Sequence, residues 1–210
     1  MFAFLTLGWL ASCESKTEVA GNGEEAVEWV GTASDDWQEI GFGGEGAARW
    51  ESGVLSLDAG VELTGVRFVG EALPERPYEL ELEARKVMGT DFFCGLTFPV
   101  SSKEECVTFI VGGWGGGTVG ISSIDGQDAS ENETTTYGNF EVGKWYGIRV
   151  RVEDERLVVF LEGEKVADVA TSGHQLALRP GVIEACAPLG LAAFQTAAEV
   201  RGLRWRSLAD

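Results

Sequence analysis

The sequence predicts an all-β protein, an antiparallel two-sheet jelly-roll sandwich. Three observations lead there. Apolar and charged residues alternate with a period of two through 78–88 and again through 146–152, which gives a strand one dry and one wet face. Short apolar runs recur along the chain between glycine- and proline-containing turns, the spacing of a sandwich or barrel. No helical period runs longer than about two turns, and 182–187 is the only helical candidate.

Taken in order, residues 26–210 read as a single jelly-roll domain without an internal repeat. Residues 37–44 give a short strand and a glycine turn. Residues 47–50 and 53–57 form a hairpin around Glu51-Ser52, and 63–69 is a strand stopped by Pro74 and Pro77. In 78–88, Tyr78, Leu80, Leu82 and Ala84 face one way; Glu79, Glu81, Glu83 and Arg85 face the other. The glutamate row either lines a concave face, where paired carboxylates can cleave glycosides, or is a plain solvent face. Gly89-Thr90 turns the chain into 91–100, and 101–105 turns it into 106–111. A glycine run, 112–117, leads to strand 118–124 and an acidic loop. Trp145 opens a hairpin in which Tyr146, Ile148, Val150 and Val152 alternate with Arg149 and Arg151. The 157–161 strand pairs back on it, and Glu162-Gly163-Glu164 turns into 166–169. Residues 189–196 and 200–208 read as a closing pair.

The chain has 210 residues with 34 acidic against 16 basic, a net charge of −18. Nucleic-acid backbones and anionic lipid headgroups are repelled by such a surface. The charge suits solubility, a cation site, or a neutral or basic partner. A single histidine, His174, rules out zinc sites with several His ligands, and its Ser-Gly-His-Gln context reads as a surface loop. The 112–117 run lacks the Gly-Lys-Ser/Thr of a phosphate loop.

Residues 1–12 are uncharged and mostly apolar, too short to span a bilayer as a helix. Leu10-Ala-Ser-Cys13 resembles the lipobox of bacterial lipoproteins. That resemblance implies a signal peptide over 1–12, lipidation at Cys13 and a polar tether over 13–25. It also implies an extracytoplasmic protein of the bacterial cell envelope, touching the membrane only through its lipid. Of four cysteines, three then remain; Cys94 and Cys106 either pair or stay reduced, and Cys186 is a buried thiol.

The stretch from 91 to 137 carries the candidate chemistry. Glycines leave Trp114 bare, either to stack on sugar C–H faces or simply to pack. No Lys or Arg falls between Lys103 and Lys144, and that span holds Asp125, Asp128, Glu131 and Glu133. The loop is either a solvated acidic surface or a site for a cation or sugar hydroxyls. The candidate carbohydrate-binding residues are Trp114, Asp91, Asp125 and Glu131; Asp125, Asp128 and Glu133 are candidate Ca²⁺ ligands. Asn132-Glu-Thr134 is a glycosylation sequon.

The hairpin Trp145-Tyr-Gly-Ile-Arg-Val-Arg-Val followed by Leu157-Val-Val-Phe-Leu-Glu-Gly resembles one that recurs in concanavalin A-like jelly rolls. Trp50-Glu-Ser-Gly53, Phe93-Cys-Gly-Leu-Thr-Phe-Pro-Val, Gly112-Gly-Trp-Gly-Gly-Gly, Ser123-Ile-Asp-Gly and the closing 190–206 stretch resemble the 3-keto-disaccharide hydrolase-like family, in a lipoprotein-like subgroup. The resemblance covers about 30–208. It implies a glycoside hydrolase that draws a proton from C2 beside a C3 ketone, expels the C1 substituent and adds water, using a base and an electrophile. Family members place a histidine before the hairpin's Asn-Gly turn and a glutamate on a Tyr-x-Tyr-Gln strand. Here the hairpin reads Val159-Phe-Leu-Glu-Gly163 and the Gly-Gly-Trp run replaces the glutamate strand, so no catalytic residue is carried over. A non-catalytic glycan-binding module and a structural envelope lipoprotein are the competing readings.

Overall fold

Alternation becomes structure wherever one face of a strand can be sealed from water. A computed structural model describes residues 28–71 and 73–208; the expected signal peptide over 1–12, the expected tether over 13–25 and Cys13 lie outside them. The strands are β1 (Val30–Gly31), β2 (Trp37–Glu39), β3 (Ala48–Glu51), β4 (Val54–Leu57), β5 (Leu63–Phe68), β6 (Tyr78–Gly89), β7 (Cys94–Pro99) and β8 (Cys106–Gly112). After them come β9 (Thr118–Ser122), β10 (Thr136–Tyr137), β11 (Trp145–Val152), β12 (Arg156–Leu161), β13 (Glu164–Ala170), β14 (Gly190–Phe194) and β15 (Thr196–Ser207). The helical candidate at 182–187 is a 3-10 turn, Val182–Cys186.

Two antiparallel sheets face each other. The first runs β13-β12-β11-β6-β15-β4-β3, with β1 added to β15; the second runs β10-β9-β8-β7-β14-β5-β2. The core lies between them. Tyr78, Leu80, Leu82, Ile148, Val150 and Val159 of the first sheet meet Leu96, Phe98, Val107, Phe109, Val119 and Ile121 of the second. Each such side chain contributes about 1.5–3 kcal/mol by leaving water. The Tyr78 hydroxyl donates to the Pro99 carbonyl at 2.5 Å and fastens one sheet to the other.

The expected hairpins form. Ser52 (φ 51°) and Gly53 (φ 79°) join β3 to β4, and Glu162 (φ 53°) and Gly163 (φ 81°) join β12 to β13, both with the paired positive φ that a two-residue hairpin turn requires. One pairing differs from expectation. The segments 189–196 and 200–208 do not pair with each other: β14 sits between β7 and β5 in the second sheet, whereas β15 lies between β6 and β4 in the first. The chain changes sheet at Gln195 (φ 47°).

On the outer face of the first sheet, register places Glu79 beside Arg151 and Arg206, Glu81 beside Arg149 and Arg204, and Glu83 beside Arg201. Glu79 is only 3% exposed. Arg206 lies 2.8 Å from its carboxylate, Arg151 3.6 Å and Arg149 3.8 Å. Arg85 and Arg201 both stack on Trp145, and Arg204 and Arg206 stack on Trp29. The glutamate row is therefore engaged by guanidiniums rather than presented as a free pair of carboxylates.

The second sheet is buried on both faces through β7, β8 and β9. Glycines at some of its outward positions let chain lie directly on it. A Cβ at Gly120 would come within 2.7 Å of the Ala129 carbonyl, and one at Gly190 would press into the Cys186 carbonyl. The 124–135 loop thus rests on β9 and the 3-10 turn on β14, leaving a groove between them.

Candidate functional site

The groove is organised around the turn that follows β8. Between Gly112 and Gly116 the backbone takes left-handed conformations at Gly112 (φ 82°), Trp114 (φ 47°), Gly115 (φ 89°) and Gly116 (φ 100°). Glycine tolerates this freely, whereas Trp114 carries a cost of about 1–2 kcal/mol. Its indole is 44% exposed. Asp91 holds the turn. Its Oδ2 accepts from Gly115 N–H at 3.2 Å and its Oδ1 from Phe92 N–H at 2.8 Å. The Thr196 hydroxyl, fully buried, donates to the Asp91 carbonyl at 3.0 Å and accepts from the Asp91 N–H at 3.1 Å. The turn is thereby tied to the start of β15.

Asp91, Phe92, Trp114, Arg179 and Phe194 line a hollow of about 210 Å³. It adjoins a deeper groove of about 300 Å³, walled by Leu63, Ile110, Val182 and Ile183, with Thr108 and Ser122 between them. Phe92 and Phe194 stack at 5.9 Å between ring centres. Arg179 comes from the segment overlying the second sheet; its Nε is 3.4 Å from Asp128 Oδ2, and Asp128 Oδ1 accepts from the Ser122 hydroxyl at 3.1 Å.

Of the four residues singled out for sugar binding, the structure brings Trp114 and Asp91 together. Asp125 and Glu131 do not line the groove. Asp125 accepts from Gln175 N–H at 2.7 Å and faces His174 Nδ1 at 2.8 Å. The Gln175 hydrogen bond first, and then His174, hold the Asp125 carboxyl below its usual range; Asp125 in turn raises the imidazole's. Glu131 is exposed on the loop surface.

The candidate Ca²⁺ ligands are not gathered either. Asp125 and Glu133 flank His174, with Glu133 Oε1 3.9 Å from Nε2, while Asp128 faces Arg179 and Ser122. Among the described residues no three or more His, Cys, Asp or Glu side chains converge as a metal ligand set. His174 and Arg179 stand beside these carboxylates instead. The loop is organised instead by Asn132, whose Nδ2 donates to the carbonyls of Ile121, Gln127 and Asp128 and whose Oδ1 accepts from Thr134. This side chain is buried, so the sequon is a structural element of the loop rather than an accessible acceptor.

Cys94 and Cys106 do not pair; both are free and buried. Cys94 lies opposite Val111 and Cys106 opposite Pro99, at far ends of the β7–β8 ladder. Cys94 points into the core, whereas the Cys106 thiol points outward to the Pro188 carbonyl at 3.5 Å. Five residues of strand, about 17 Å, separate them, well beyond disulfide reach.

Sequence reasoning missed Arg179, Phe92, Phe194 and Val182. Arg179-Pro180-Gly181 has turn punctuation but no periodicity, and nothing local reveals that it folds over a strand about 70 residues earlier.

No protein-family model matches the chain, and no curated protein matches it in sequence. Solved structures share its fold. A candidate glycosyl hydrolase of Parabacteroides distasonis is 14% identical with a TM-score of 0.52, covering 83% of this chain and 89% of its own. SCLam, a non-specific endo-β-1,3(4)-glucanase of family GH16, is 12% identical with a TM-score of 0.53, covering 82% and 84%. The carbohydrate-binding module CBM66 of Bacillus subtilis is 11% identical with a TM-score of 0.51, covering 82% and 96%. The architecture is an antiparallel two-sheet jelly-roll sandwich, the fold of that GH16 glucanase.

Proposed function

We propose that the protein binds carbohydrate in the groove on its second sheet, a pyranose resting on Trp114 with its hydroxyls directed to Asp91 and Arg179. The observation that carries this reading is the partly exposed indole, held by Asp91 in the same hollow as Arg179. A rigid ring presents a flat apolar surface at small entropic cost, and the flanking carboxylate and guanidinium supply an acceptor and donors. The fold, shared with a glucanase and a carbohydrate-binding module, supports the same reading. Titration of the full chain with oligosaccharides, followed by calorimetry and tryptophan fluorescence, tests it. Binding that Trp114→Ala weakens at least tenfold supports it; an unchanged affinity in that variant overturns it.

The resemblance to 3-keto-disaccharide hydrolases favours a second reading, in which the groove processes 3-keto glycosides. Asp91 would take the C2 proton and Arg179 would hold the enolate oxygen; the C1–O bond breaks to leave a C1=C2 double bond, the leaving oxygen takes up the proton from Asp91, and water adds across that bond, its hydroxyl to C1 and a proton to C2. Incubation with a 3-keto-disaccharide separates the readings. Release of a monosaccharide, abolished by Asp91→Asn, supports catalysis, and binding without product leaves the glycan-binding module. Lipidation at Cys13 and residence in a bacterial cell envelope belong to the same proposal. Mass spectrometry of the expressed chain, looking for a diacylglyceryl group on Cys13, tests them.

A further inference from the structure

The groove has two chemically different halves. Its mouth carries Asp91, Arg179 and the Trp114 indole. Its deeper part shares Trp114 and Arg179 with the mouth and has the exposed Glu62 in its lining, but most of its wall is apolar: Leu63, Ile110 and Ile183, all buried, the half-buried rings of Phe92 and Phe194, and Val182, which is 48% exposed. The hydroxyls at that depth are already engaged: Thr108 with Thr97 at 2.8 Å, and Ser122 with Asp128 at 3.1 Å. A pyranose carries hydroxyls around most of its ring, and each one buried without a partner costs about 1–3 kcal/mol. With Arg179 and Glu62 as its remaining polar side chains, the deep half has too few partners for the hydroxyls of a second sugar, and its wall suits a hydrocarbon better.

We propose that the ligand is a glycoside of an apolar alcohol, its pyranose at the mouth and its aryl or branched-alkyl aglycone in the deep half. The inference rests on the carbohydrate reading of the mouth and names the substituent that this mouth would face. Two of the large apolar side chains exposed in the described residues, Trp114 and Val182, line this one groove. A bound aglycone would cover Val182 and bring Phe92 and Phe194 out of contact with water. The groove's volume of about 300 Å³ admits one ring system rather than a polymer segment.

Calorimetric titration of the full chain with phenyl and methyl glycosides of glucose, galactose and mannose tests this. The expected result is that one phenyl glycoside binds about thirtyfold tighter than its methyl counterpart, as burial of a phenyl group predicts. Val182→Ser, whose fold is checked by circular dichroism, narrows that gap about threefold and leaves methyl-glycoside affinity unchanged. Equal affinity of phenyl and methyl glycosides overturns the aglycone assignment while the carbohydrate reading stands. Absence of binding by every glycoside, or binding of benzyl alcohol as tight as that of the phenyl glycosides, overturns the carbohydrate reading and this inference with it.

Discussion

His174 Nδ1 lies 2.8 Å from Asp125 Oδ2, and this contact clips the acidic loop to the segment that carries Arg179 into the groove. Both partners are largely solvent-accessible, so the clip is modest and screened by salt.

Its pH dependence has a definite sign. Contact with Asp125 raises the folded-state pKa of His174 above 6.5, so its contribution is fully present below that value and is lost as pH rises through the raised one. Asp125 is shifted down from 3.8, so its contribution is present above that value and lost as pH falls through the lowered one. The melting temperature of the native chain relative to His174→Gln should be highest between about pH 4 and 6.5 and should fall toward the variant's as pH rises through the raised value of His174. A difference that does not change with pH would remove the imidazolium from the account.

Asp91→Ala frees the N–H groups of Phe92 and Gly115 and releases the Trp114 turn. A stability loss of about 1–2 kcal/mol in urea is expected, with sugar affinity reduced about tenfold. Loss of stability with full retention of affinity would mean that Trp114 is held without Asp91.

Glu79→Gln leaves Arg149, Arg151 and Arg206 around an uncharged amide. Because the carboxylate is buried and the guanidiniums are partly hydrated, the expected cost is about 2–3 kcal/mol, read by urea denaturation. Sugar binding, on the opposite sheet, should not change.

Burial pushes the thiols of Cys94 and Cys186 up to about 12 and that of Cys106 to about 11. All three should resist a thiol-specific reagent at neutral pH in the native protein and react once it is unfolded. Rapid native reaction at Cys106 would show that its cover over Pro188 opens.

Gly190→Ala presses a methyl group into the Cys186 carbonyl. The 3-10 turn must lift, at a cost of about 1–3 kcal/mol, and the Val182–Ile183 wall moves with it. Thermal unfolding reads the first effect; a reduced preference for phenyl over methyl glycosides reads the second.

Strands were legible in the sequence because period-two alternation survives wherever one face is wet, as in Tyr78–Gly89 and Trp145–Val152. Strand partners were less legible. Nothing local in 189–208 marks Gln195 as the point where the chain leaves one sheet for the other. In the site, Trp114 stood out because glycines surround it. The acidic loop stayed open between a solvated surface and a site for a cation or sugar hydroxyls because its partners, His174 and Arg179, arrive from about 50 residues downstream. The structural role of Asn132 was not legible, because composition carries no information about which way a loop side chain points.

The outermost strands have a further consequence. In the second sheet these are β2, of three residues, and β10, of two; in the first, β3 carries Arg49 and Glu51, and β13 carries Glu164, Lys165 and Asp168. Brevity on one side and charge on the other offer an incoming chain little to hydrogen-bond against. The molecule is thereby guarded against templated polymerisation and fibril growth even at high local crowding.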